Sequence, residues 1–263
     1  MVATEKKLDR AGVIAALAAF SFWGLVPIYY KGLQTVSAWE VLAHRVIWSV
    51  PLLAIFLLIR DRGQFWNRLR LPLTSIAWLV LSGLTVSINW LVFVWAVAND
   101  HILDTSLGYF GTPLVNVLLG YLFLKERLSR PQFIAVVLAA MGTFYLAWYL
   151  GRPPWIAITL AVSFGLYGLL RKRLTVGPML GLLWETTLMF PVALTFLLWS
   201  YSQSNMQFLH VSPVIDFLLV GSALVTVLPL IWFNMAAQKL PLSILGFFQY
   251  LAPSMSFLIA VFL

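Results

Sequence analysis

An all-α, polytopic membrane fold is predicted by three features of the sequence: its apolar content, the length of its apolar runs, and the placement of its positive charge. Of 263 residues, 62% are hydrophobic and only 10% charged, with 12 Trp and 19 Phe. Soluble domains are roughly 45–50% apolar and about 25% charged. The 17 basic and 9 acidic side chains present here are too few to cover a water-facing surface. A cytosolic enzyme, a secreted domain and a disordered tail are thereby excluded. Cysteine is absent, which removes disulfides, thiolate metal sites and cysteine nucleophiles. The net charge of +8 does not indicate nucleic acid, because the basic residues are scattered between apolar runs rather than gathered on one polar face.

A helix needs about 20 residues to cross roughly 30 Å of hydrocarbon. Nine runs meet that length, and none shows strand alternation. A charged segment, 1–10, leads into the first span at 11–30, which lacks a cleavable signal-peptide pattern. The second span, 39–59, starts behind Ser37-Ala38-Trp39-Glu40, which has capping-box spacing with Glu40 as the helix-start acid. The third and fourth run over 73–98 and 103–124. The fifth, 131–149, opens on a second capping box, Ser129-Arg130-Pro131-Gln132. The sixth, 154–170, is short unless it continues into Arg171. Spans at 179–200, 214–238 and 242–263 complete the set. Pro154 and Pro178 sit at helix starts, where a missing N–H costs nothing.

Short loops rich in Lys and Arg face the cytoplasm. With the N-terminus inside, fourteen basic residues fall in inner segments, among them Lys6, Lys7, Arg62, Arg171, Lys172 and Arg173. Only Lys31 and Arg152 fall outside, and Arg45 lies within a span. This alternation fixes nine spans and predicts a plasma (inner) membrane protein with a cytoplasmic N-terminus.

The chain also repeats itself. At an offset of 140 residues, 82–123 lies over 222–263 without a gap, placing Ser82 on Ser222, Phe93 on Phe233 and Pro113 on Pro253. The same offset puts Pro51 on Pro191 and Arg45 on Glu185. Because the first copy holds five spans, the second enters the membrane from the opposite side, and the repeats are inverted. The expected organisation is 1–10 as N-terminal segment, 11–149 as the first repeat and 154–263 as the second. Lys125-Glu126 would map just past residue 263, so a ten-helix fold with nine spans present is expected.

The stretch DTSLGYFGTPLVNVLLGYLFLKERLSRPQFIAVVLAAMGTFY (104–145) resembles the end of an EamA-type repeat. With FWGLVPIYYK (22–31), WEVLAHRVIWS (39–49) and SINWLVFVWAV (87–97), it is similar to the RarD branch of the drug/metabolite transporter superfamily. The resemblance implies a ten-helix plasma-membrane permease with a central cavity between its halves.

A charge inside a span costs about 2.5–3.5 kcal/mol on translocon scales and marks a function by default. Arg45 and Glu185 are each about 9 Å deep from opposite faces, so about 12 Å separates their levels and no salt bridge between them is expected. Arg45 either lines the cavity or snorkels outward. Glu185 is a cavity or proton-coupling residue, and His44, one turn below Glu40, is the second coupling candidate. Asp100, His101 and Asp104 read as solvated turn residues. Thr105, Gly108 or Tyr109, Thr112, Asn116 and Gly120 form a small, polar stripe on the fourth span, either a helix seam or a cavity wall. Pro113 and Pro253 should bend their helices and act in gating. Trp23, near the midplane, Asn89, Trp90, Tyr167, Asn234, Gln249 and Tyr250 complete the candidate lining.

The expected function is secondary transport of a small organic solute or drug by alternating access, with export favoured and proton coupling through Glu185 or His44. A membrane-embedded receptor or scaffold is the alternative. A lipid-acting enzyme is disfavoured because no paired carboxylates or His–Asp pair share a depth. No cofactor and no metal are expected. The expected partners are the lipid bilayer and a small-molecule substrate, not nucleic acid, and a homodimer is allowed for.

Overall fold

Eight of the nine expected spans are single helices, and the ninth is broken. The computed structural model describes residues 8–262 other than 62, 150 and 152. Lys6, Lys7, Arg62 and Arg152, counted above in the loops, lie outside the described residues. The helices are α1 (Arg10–Lys31), α2 (Ala38–Asp61), α3 (Phe65–Leu69), α4 (Leu73–Ala98), α5 (Ile102–Leu124), α6 (Arg130–Tyr149), α7 (Trp155–Arg173), α8 (Pro178–Ser202), α9 (Pro213–Lys239), α10 (Leu242–Gln249) and α11 (Leu251–Phe262). Among the described residues there is no strand. All but α3, α10 and α11 are long and apolar enough to cross a bilayer.

The expected continuous helix over 242–263 instead stops at Gln249 and restarts at Leu251. Pro253 explains the position of the break. Its ring would clash with the carbonyl four residues back, at Gln249, and it has no N–H to donate there. Pro113, its equivalent, leaves α5 unbroken. The sixth span does run past 170, as its shortness required. α7 continues to Arg173, so Arg171 and Lys172 are helical residues and not loop cations.

The two repeats interlock. α1 packs on α9, α10 and α11, and α7 packs mainly on α4 and α5. α2 lies along α8, and α5 along α10. Exchanging α1 with α7, α2 with α8, α4 with α9, and α5 with α10–α11 reproduces this pattern of neighbours, as a half-turn between inverted copies requires. Single residues obey the same exchange. A Cβ on Gly24 of α1 would lie 2.6 Å from the Met255 Cβ of α11, and one on Gly165 of α7 would lie 2.7 Å from Val115 Cγ1 of α5. Val115 and Met255 are themselves 140 residues apart. Lipid supplies no hydrophobic drive between helices, so close approach at such small residues is what holds membrane bundles together. Phe110 and Tyr250, another pair at the 140-residue offset, meet at 6.4 Å between ring centroids, where the two copies cross. α6 packs mainly on α5 and has no buried residue among those described.

Candidate functional site

Where the halves meet, aromatic rings fill the centre. Trp23 lies 6.0 Å from Phe164 and 5.8 Å from Phe233 between ring centroids, and Phe20 lies 5.5 Å from Trp23. Tyr167 stacks on Phe233 at 5.9 Å. The expected hollow is therefore occupied here by side chains drawn from α1, α7 and α9. Polar groups collect on either side of this plug, and the two collections differ.

Toward the membrane face where α1 begins, α7 and α8 form a hairpin around a buried ion pair. Arg171 Nη1 is 3.5 Å from Glu185 Oε1, and both side chains are almost wholly enclosed. Ser82 of α4 donates to Glu185 Oε1, and the Tyr167 hydroxyl donates to Oε2 at 3.2 Å. Asn234 of α9 donates to the Tyr167 hydroxyl at 2.9 Å, and Arg171 Nη2 donates to the Pro178 carbonyl at 3.3 Å. Four helices from both repeats are tied together through one carboxylate. Gly181 makes room for it, since a Cβ there would lie 2.0 Å from Arg171 Nη1. Arg171 and Ser82 were not among the sequence candidates. The hairpin geometry held the signal: α7 ends and α8 begins across a four-residue turn, so a long side chain at 171 can reach a residue two turns into the next helix.

Toward the opposite face the arrangement is open. Arg45 of α2 is half-buried, and its Nε donates to Thr226 Oγ1 of α9 at 2.8 Å. Its guanidinium lies 5.1 Å from the Trp90 ring centroid and 5.8 Å from that of Tyr30. Tyr109 of α5 is within electrostatic range of Arg45, packs its ring 5.9 Å from Phe93, and is 44% exposed. Arg45 is thus engaged within the bundle by a hydroxyl and two rings. As expected from depth, Arg45 and Glu185 do not pair. Each instead bonds a hydroxyl on the third helix of the other repeat.

Several candidates sit in helix seams and line no open space. Asn89 donates to the Leu160 carbonyl and to Ser163 Oγ at 2.9 and 3.0 Å, joining α4 to α7. Thr112 bonds back to Gly108 within α5. Asn116 donates to Gln249 Oε1 at 2.9 Å, joining α5 to α10. The polar stripe of α5 is accordingly a seam, with Gly108 against Ala157 and Leu160, while Tyr109 points elsewhere. Tyr250 reaches the Phe110 carbonyl from its place beside the break. Pro113 backs Gly246 closely, its carbonyl 2.9 Å from where a Cβ on that glycine would lie.

Two readings of polar residues change, those of Glu40 and Asp104, and His44 lies beside the first. Glu40 does not close a capping box on its own helix; it accepts from the backbone N–H groups of Gln207 and Phe208, each at 2.9 Å, holding the segment between α8 and α9. Charge-assisted bonds to two N–H groups outweigh a single local cap. His44 accepts from Trp48 Nε1 at 3.0 Å through Nδ1, packs its ring at a tilt 4.6 Å from that of Phe208, and turns Nε2 toward Glu40 at 4.0 Å. Asp104 is enclosed in the first turn of α5, 3.4 Å from His101, and is no solvated turn residue. Among the described residues no group of three His, Asp or Glu side chains could hold a metal.

Comparison with known proteins agrees with this architecture. Residues 10–148 match the family model described as EamA-like transporter family. An uncharacterized transporter from Vibrio cholerae is 44% identical over 255 residues, covering 96% of this chain and 83% of that protein. Protein RarD of Escherichia coli is 42% identical over 258 residues, covering 98% of this chain and 87% of that protein. A solved crystal structure superposes with a TM-score of 0.71 at 18% identity, over 95% of this chain and 87% of that one, and so shares the fold. This multi-pass membrane protein belongs to the EamA-like transporter family, in its RarD branch.

Proposed function

We propose that the protein is a secondary transporter that exports a small organic solute across the plasma membrane by alternating access, with its N-terminus in the cytoplasm. One observation carries the reading: the same interlocked surface is sealed on one side of the aromatic plug and open on the other. On the sealed side, Glu185 joins α4, α7 and α8 directly and α9 through Tyr167. On the open side, Arg45 and Tyr109 remain accessible. Related by a half-turn, the two halves can exchange these roles, which is the motion that inverted repeats perform in transporters. Glu185 is the proton-coupling group in this reading. Protonating it removes the charge that holds Arg171, loosens the seal, and links opening to proton movement.

The absence of cysteine makes the test direct, because single cysteines report accessibility without background. Tyr109→Cys should react with a membrane-impermeant maleimide added outside intact cells, and Tyr167→Cys should not. Glu185→Gln should abolish pH-driven solute flux in proteoliposomes. Equal labelling of both cysteines, or unchanged pH-driven flux in Glu185→Gln, would overturn the reading.

A further inference from the structure

We propose that the open side of this site binds an organic anion, a carboxylate on an aromatic or flat apolar body, with Arg45 as its counter-charge. This rests on the transporter reading above. The three cations at the end of α7 already have partners. Arg171 faces Glu185, Lys172 donates to the Ala237 and Leu240 carbonyls at the end of α9, and Arg173 donates to the Phe123 carbonyl. Arg45 has no carboxylate partner among the described residues, although it sits inside a membrane-spanning bundle, where an uncompensated charge is costly.

The shape of its surroundings defines what would compensate it. Thr226 engages Nε alone, which leaves the N–H groups on both Nη atoms to face a ligand. A planar guanidinium presents such groups as a fork that matches the two oxygens of a carboxylate. Tyr30 and Trp90 hold the guanidinium within cation–π range of their rings. Phe93 and the accessible ring of Tyr109 add an aromatic wall beside it, suited to a flat apolar body. The comparison between the halves points the same way. On the sealed side Arg171 faces a carboxylate, Glu185, whereas on the open side Glu40 is engaged by the Gln207 and Phe208 N–H groups and Arg45 has only a hydroxyl and two rings. A bound carboxylate completes the second pair, and the substrate thereby becomes part of the contact that closes its own side.

The test uses the full chain in lipid nanodiscs, titrated calorimetrically with benzoate and indole-3-acetate beside their neutral counterparts benzamide and indole-3-acetamide. The carboxylates should bind at least tenfold more tightly than the amides. Arg45→Gln should erase that preference, and Arg45→Lys, a point charge without the fork, should keep part of it. Equal binding of acids and amides by the unmodified protein would overturn the proposal without reference to any variant, and so would an undiminished preference in folded Arg45→Gln. Flux is measured separately in proteoliposomes. Carboxylate preference without flux would leave the site standing and overturn the transporter reading. Flux of the amides without carboxylate preference would do the reverse.

Discussion

Glu185 and Arg171 face each other at 3.5 Å from two helices joined by a four-residue turn, with 1% and 0% of their side-chain surfaces exposed. Removing one partner of a buried pair leaves an uncompensated charge and costs about 3–5 kcal/mol, whereas replacing both is often nearly neutral. Glu185→Gln and Arg171→Met should each lower the thermal unfolding midpoint markedly in detergent. The double variant should recover most of the loss, which a double-mutant cycle on the unfolding free energies would measure.

Gly181→Ala should act like loss of Arg171. The new methyl would occupy the position of the guanidinium, so the ion pair must open for the helix to persist. Gly142→Ala, within α6 with nothing within 4 Å of its Cβ position, is the control and should not lower the unfolding midpoint.

Gly24→Val and Gly165→Val should weaken the same contact in the two repeats. Overpacking typically costs about 1–3 kcal/mol, and each added side chain must push apart helices that belong to different halves. Gly142→Val, on the uncovered α6 with nothing within 4 Å, should not destabilise through packing. Thermal unfolding of the three variants side by side checks this.

Glu126→Ala should loosen the start of α10. The Glu126 carboxylate accepts from the Leu242 and Ser243 N–H groups at 2.7 and 2.9 Å and from Ser243 Oγ at 2.7 Å. Caps of this kind contribute about 0.5–2 kcal/mol. Hydrogen exchange of the Leu242 and Ser243 amides should accelerate, while that of α8 stays as it was.

Asp9 caps α1 through the Gly12 N–H at 2.8 Å. That bond, followed by Lys239, holds the Asp9 carboxyl below its ordinary value. A depressed acid stabilises the fold above its unfolded-state pKa, and the contribution disappears as pH falls through the folded-state value. The Gly12 amide resonance should therefore report loosening of the helix start below about pH 4. Asp9→Asn should flatten that response.

Much of this architecture was legible in the chain because membranes impose simple rules. Run length and basic loops placed eight helices to within a few residues, and the capping box at Ser129 and Gln132 closes as expected at 2.8 Å. The 140-residue offset sets Arg45 against Glu185, and the two residues do not pair with each other. The site was less legible because its partners depend on side-chain reach across helices. Counting loop charge treats every terminal Arg as solvated, which hid Arg171. A local cap was the nearest explanation for Glu40, and only the packing of α2 beside α8 brings Gln207 and Phe208 within its range. The stripe on α5 could face a neighbour or a cavity with equal chemistry, and helix rotation alone decides between them.

The way α1 finds its neighbours has a consequence for how the molecule is made. Its packing partners, α9 to α11, are synthesised long after it, so α1 must wait in lipid, with Gly12 and Gly24 uncovered, while some two hundred residues are added. Assembly is therefore a late event. A chain stalled midway would hold half-finished seams that its own helices cannot close, but that a separately expressed second half could.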